Sequence, residues 1–355
     1  MKIKDIIVRK EELGLTRPYT IAFKTTDSVS VSYVEIIGEN GMYGLGSSNP
    51  SPYVIGETLD ETMATLEAES FDWLIGRDIR EVQQLLFEVN AKYPSQPAVR
   101  AALDIALYDL FAKYLGVPLV KFLGQKLYEL PTSITIGIKN VEETLEEAEE
   151  YVERGFTNLK VKLGISLEED IERVTKIYER YGARIIQRVD ANQGYSVEQV
   201  LEFYKRTASL DLELVEQPME AGNIEPLRHL SEPVKRLIAA DESLISPEDG
   251  FKLASPPAAC GIFNIKLMKC GGVSKALEIA TIAKNSGQDL MWGCNDESII
   301  SITAALHAAF ASEKTRYIDL DGSLDLARDL VKGGFTITDG VMRLTDAPGL
   351  GVEKI

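Results

Sequence analysis

The sequence predicts an α/β protein. An α+β N-terminal domain, residues 1–125, precedes a barrel of eight parallel strands and seven helices, residues 126–322, and a last segment, 323–355, packs back on the N-terminal domain. Three observations carry this. From residue 132 onward, short apolar, β-branched segments recur every 24 to 28 residues, with an amphipathic helical stretch in each gap between them. Eight such units exceed the five or six strands of an ordinary open parallel sheet, and no phosphate-binding glycine loop follows any of them. Before residue 50 the texture is instead the apolar/polar alternation of antiparallel strands.

In chain order, "KIKDIIVRKEEL" and "SVSVSYVEIIGENGMYGLGSS" read as strands, with "GENG" as a turn between two of them. Helical patterns follow from Glu57 to Glu69, Arg80 to Asn90 and Ala98 to Leu115, the last ended by Gly116 and Pro118. The barrel strands begin near Thr132 ("TSITIGI"), Asn158 ("NLKVKLG"), Arg184 ("RIIQRVDAN"), Leu212 ("LELVEQP"), Leu237 ("LIAADES"), Gly261 ("GIFNIKLMK"), Asp289 ("DLMWGCN") and Tyr317 ("YIDLDG"). Strand–helix–strand units of this length cross over right-handed and close into a parallel barrel. No long helix follows "YIDLDG", so the order is (β/α)7β, and the tail reads as short strands and turns.

Composition narrows the function. The 355 residues carry a formal charge of −17 with scattered Lys and Arg, which argues against a nucleic-acid partner. Three cysteines without a C-x-x-C pair fit a reducing, cytoplasmic setting better than a disulfide frame or zinc site. Two histidines, both in helical stretches, leave little supply for a His-centred dyad. The N-terminus lacks a signal-peptide core, and no apolar run is long enough to span a membrane.

In such a barrel the chemistry gathers at the C-terminal ends of the strands. Those ends bring Lys160 and Lys162, then Asp190, Glu216, Asp241, Lys266, and finally Asp319 and Asp321. Side chains alternate along a strand, so Lys160 and Lys162 share a face while Val161 and Leu163 turn to the helices. Two buried ammonium groups need anionic neighbours. Asp190, Glu216 and Asp241, on successive strands, form an all-oxygen donor set suited to Mg2+. Lys266 ends strand six, opposite strand two; Lys269 competes for the part but belongs to the turn "KCGGV". Opposed lysines suit abstraction and return of a proton on two faces of one carbon. A metal and a second lysine, Lys160, are expected to bring Lys162 below its usual pKa, with Lys160 also offering charge to a developing enolate oxygen.

The motifs "KVK", "DANQGY", "EQP", "ADES", "NIKLMKCGG" and "DLDG", in this order, resemble the muconate-lactonising subgroup of the enolase superfamily, most closely its dipeptide epimerases. The resemblance covers essentially the whole chain and implies a TIM-like (β/α)7β barrel with its cap. It further implies Lys162 and Lys266 as the acid/base pair, Lys160 assisting the enolate, and one Mg2+ on Asp190, Glu216 and Asp241, with Asn192 and Glu242 supporting them. Asp319 and Asp321, the D-x-D of strand eight, would hold the α-ammonium of a dipeptide, and Thr135 and Cys294 would line the substrate. Lys24 falls where Ala-Glu epimerases place a basic residue for the side-chain carboxylate, although theirs is commonly Arg; Phe23 and Tyr19 would suit an apolar side chain instead. The cap loop "SNPSPYVIGET" is rich in turn residues and placed to close over the site.

The expected activity is epimerisation at the C-terminal residue of a dipeptide such as Ala-Glu or Ala-Ala. o-Succinylbenzoate synthesis and muconate-type cycloisomerisation are the alternatives on the same scaffold. A Schiff-base aldolase and a catalytically silent binding module remain as readings from other classes. Barrels of the family are often oligomeric, but no sequence patch announces an interface.

Overall fold

The computed structural model describes residues 1–16 and 27–355 in full and, between them, the backbone of 19–21 and 24–26. The side chains of Tyr19, Phe23 and Lys24, and so the specificity expected of them, lie outside the described residues.

The cap begins with three antiparallel strands, Ile3–Glu12, Ser30–Gly38 and Tyr43–Ser48, the second in the middle. Helices Leu59–Ala68, Val82–Lys92 and Pro97–Leu115 follow within a few residues of their expected bounds. Pro97–Leu115 is apolar on nearly every side because it is sandwiched between the cap sheet and the barrel. The "GLG" of the third strand admits it: a Cβ on Gly46 would overlap the carbonyl oxygen of Ala102.

The eight parallel strands are Ile134–Ile136, Asn158–Lys162, Ile186–Asp190, Leu214–Glu216, Ile238–Ala240, Ile262–Ile265, Asp289–Gly293 and Thr315–Asp319, paired in that order. Closure is made between the first and last staves. Thr132 bridges Ile318 in parallel, and the Ser133 amide donates to the Ile318 carbonyl at 3.2 Å. The tail forms short strands. One hairpin, Phe335–Thr338 and Val341–Leu344, pairs with Leu130–Pro131 below the barrel. The rest reaches the cap, where Leu350 N–H donates to Asp109 at 2.7 Å and Lys354 meets Glu35 at 2.6 Å. No helix among the described residues is long and apolar enough to cross a membrane.

Candidate active site

Register aligns the strand-end charges. Lys162 pairs with Asp190, and Asp190 with Glu216, so these three stand level on adjacent staves. Asp241 lies just beyond strand five, two residues after Ala239, the register partner of Glu216. Lys266 caps the one-turn helix Leu267–Cys270 that leaves strand six. Strands two and six are separated by three staves on one side, which sets Lys162 and Lys266 across the mouth from each other.

The two lysines of strand two have different surroundings. Lys160 is buried inside the barrel with Nζ 2.7 Å from Glu216, 2.8 Å from Asp319 and 3.2 Å from Asp190. Lys162 reaches the cavity, with Nζ 2.6 Å from Asp190 and 3.2 Å from Asn192 Oδ1. Lys266 Nζ lies 2.8 Å from Asp241. The anionic neighbours that the sequence demanded are therefore in place.

Those neighbours set the charge of two of the lysines. Burial alone would lower Lys160, but Asp319, Glu216 and Asp190 raise it well above its ordinary value. For Lys266 burial is likewise overridden by Asp241 and Glu216, and its pKa is raised. At these two positions the carboxylates favour the cation.

Among the carboxylates, Asp190 is pulled down to about 2 and Asp241 well below the usual range, because lysines outweigh the cost of burial. Glu216 goes the other way, raised by burial and by Asp190. Asp321 and Glu242 are both pushed up to about 7, chiefly by burial and then by Asp319 and Asp241 respectively.

Ammonium groups separate the three expected metal ligands, so among the described residues no three acid, His or Cys side chains stand in a ready cage. The charge balance nevertheless fits a divalent cation. Six carboxylates (Asp190, Glu216, Asp241, Glu242, Asp319, Asp321) share the inner site with Lys160, Lys162, Lys266 and Lys269, an excess of two negative charges when all are ionised. Glu216 Oε2 is buried and makes no aligned hydrogen bond despite its closeness to Lys160. Oxygen donors with uncompensated charge are what Mg2+ takes.

The remaining expected residues gather here as well. Asn192 accepts from Lys162 and donates to Glu242 Oε1 at 3.4 Å, and its own amide donates to Asp190. Thr135 N–H donates to Asp321 at 2.8 Å. Cys294 Sγ donates to the Asp319 carbonyl at 3.3 Å, and both Thr135 and Cys294 line the cavity.

Several residues escaped sequence reasoning. Lys269 is no mere turn residue: it is buried, paired with the Asp241 carboxylate, and donates to the carbonyls of Asp241 and Asn264 at 2.6 and 3.0 Å. Its spacing of three from Lys266 across a helical turn is the signal. Asn264 Nδ2 holds Glu216 at 2.9 Å and shares the inward face with Lys266, as the alternation of "NIK" implies. Gln217, inside "EQP", receives the Asp241 amide at 3.0 Å. Ser133 Oγ donates to Asp319 at 2.7 Å.

Above these groups lies a cavity of about 240 Å³. Its cap side is Ser28 to Ser30 and Asn49 to Val54, so the turn-rich loop lines the mouth. Glu147, Asp296 and Asp325 line it together with Lys139.

The model described as mandelate racemase / muconate lactonizing enzyme, N-terminal domain, matches residues 3–124, and that described as enolase C-terminal domain-like matches 143–354. The L-Lys-D/L-Arg epimerase of Methylococcus capsulatus is 53% identical over 352 residues, 99% of each chain. A dipeptide epimerase structure from the same organism, complexed with Mg and the dipeptide L-Arg-D-Lys, matches with a TM-score of 0.98 at 53% identity over 99% of both chains. The L-Ala-D/L-Glu epimerase of Bacillus subtilis is 31% identical over 355 residues, 99% of this chain and 97% of that one. The chain thus belongs to the mandelate racemase/muconate lactonizing enzyme family of the enolase superfamily, and with its relatives it is an isomerase of the epimerase type.

Proposed function

We propose that this isomerase is a Mg2+-dependent epimerase of dipeptides with cationic side chains, inverting the α-carbon of the C-terminal residue. The observation that carries the substrate class is the placement of Asp296 and Asp325 at the mouth, beside the Lys139–Glu147 ion pair. Such a wall attracts lysine and arginine side chains and repels the glutamate of Ala-Glu. The names of the relatives agree, since both L-Lys-D/L-Arg and L-Arg-D-Lys carry two basic residues.

In this proposal Lys162 and Lys266 take and return the α-proton from opposite faces. Lys160 directs its ammonium toward the substrate carboxylate, where charge develops as the proton leaves. Asp190, Glu216 and Asp241 would hold Mg2+, which would supply further positive charge at that carboxylate when bound. Asp241 and Glu216 are also the groups that raise Lys266, so a cation bound to them would favour its neutral form. Asp321, with Asp319 beneath it, faces the cavity where an α-ammonium can be received.

The test is deuterium uptake from D2O across a dipeptide library, followed by mass spectrometry. Lys-Arg and Arg-Lys should exchange at least tenfold faster than Ala-Glu or Ala-Ala, and Asp296→Asn should narrow that ratio. Fastest uptake with Ala-Glu would overturn the cationic assignment.

A further inference from the structure

The motif "KCGGV" contains two glycines that the chemistry of the site does not use. Gly271 and Gly272 both have positive φ, 95° and 107°. A Cβ on Gly271 would lie 2.5 Å from Arg100 Nε, and one on Gly272 would lie 2.5 Å from the Asp104 carboxyl carbon. Both intruding side chains come from the cap helix Pro97–Leu115. The glycines are therefore required by a close docking of the cap onto the turn that follows Lys266.

That docking does a specific job. Helix Val273–Ser286 starts at Gly272, which has no side chain to satisfy its first amides. The acceptor arrives from the other domain. Asp104 takes the Val273 amide at 2.6 Å, the Ser274 amide at 3.3 Å and the Ser274 hydroxyl at 2.5 Å. Alongside it, Arg100 donates to the Cys270 carbonyl at 3.2 Å and to Pro94 at 2.7 Å. Asp104 is fully buried, so its carboxylate has no water to turn to.

The segment so held is short and tightly wound. Lys269 N–H and Cys270 N–H donate to the Lys266 carbonyl at 3.0 and 3.3 Å, and the amides of Gly271 and Gly272 donate to Leu267 at 2.9 and 3.0 Å. One end carries Lys266 and Lys269, both on Asp241; the other is pinned by Asp104 and Arg100. By contrast, the turn after Lys162 is held within the barrel, by Asp170, which accepts from Gly164 N–H at 2.8 Å and Tyr195 Oη at 2.6 Å.

We infer that Asp104, assisted by Arg100, is a positioning residue supplied by the cap for Lys266 and not for Lys162, so that docking of the cap controls one face of the proton transfer. The inference rests on the two-lysine proposal above for its catalytic consequence, though not for the mechanical one. Loosening this latch lets the 266–272 turn unwind while the Lys162 turn stays held.

Asp104→Ala and the milder Ser274→Ala, each assayed as the Mg2+-loaded enzyme, test it. In D2O, Asp104→Ala should lose tenfold or more of the exchange from whichever stereoisomer Lys266→Ala abolishes, and keep the other within twofold. Ser274→Ala should shift the same ratio by two- to fivefold. Amide hydrogen exchange of residues 266–274 should accelerate tenfold in Asp104→Ala, with 160–166 unchanged. This last readout is independent of the chemistry: faster exchange at 266–274 with Lys266→Ala sparing both isomers would count against the two-lysine proposal and leave the latch standing. Equal loss with both isomers in both variants, or unchanged amide exchange at 266–274, would overturn the inference.

Discussion

Lys160 Nζ lies 2.8 Å from Asp319 Oδ2, deep in the barrel where both are almost wholly shielded from water. One acid of the D-x-D is thus paired with a lysine of strand two, while Asp321, which lines the cavity beside it, accepts from the Thr135 amide. Asp319 bears directly on Lys160, the cation proposed to stabilise the enolate.

Asp319→Asn should therefore lower kcat about 100-fold, the scale of losing one charge-stabilising group, with a smaller rise in KM. An acid acting only on the substrate ammonium would raise KM and leave kcat alone. Steady-state kinetics on the preferred dipeptide separates the two. A substrate without an ammonium group, as in cycloisomerisation, predicts little change in either.

Mg2+ should stabilise the fold as well as the chemistry, because it offsets an excess of buried carboxylate. At 100 times its Kd it adds about 2.7 kcal/mol, visible as a rise of the thermal midpoint by several degrees. EDTA should reverse both the midpoint and activity. A midpoint indifferent to Mg2+ would count against the three-acid site.

How much of this was legible in sequence follows from the range of the interactions. The eight strands could be placed because each strand–helix unit must span the same barrel, which imposes a regular beat; the observed starts lie within about two residues of the expected ones. The lysines and acids could be placed because strand alternation and strand ends are local features. Lys269 was misjudged as a turn residue because its burial depends on Asp241, 28 positions away. The grip of Asp104 on Val273 crosses 169 positions, and no local pattern encodes it. Ser133 and Thr132, which close the barrel against Ile318 and Leu320, were hidden for the same reason.

His307 is buried in the helix Ile299–Ala311, where its Nδ1 accepts from Val120 N–H at 2.9 Å. Burial pulls its pKa down from 6.5 to about 4. Because the folded value is the lower one, its contribution to stability is complete above pH 6.5 and is lost as pH falls through 4. The loss between pH 7 and pH 4 amounts to about 3 kcal/mol. His307→Gln keeps an acceptor that does not take up a proton, so urea unfolding of this variant should show a shallower decline across that window. An unchanged decline would mean that His307 does not govern it.

The assignment of opposed bases is tested most directly by single-site deuterium exchange. In D2O the unaltered enzyme should incorporate label at the α-carbon of the C-terminal residue from either configuration. Lys162→Ala should abolish uptake from one stereoisomer and Lys266→Ala from the other, each sparing its counterpart. Loss of both, or of neither, in either variant would contradict two bases acting from opposite faces.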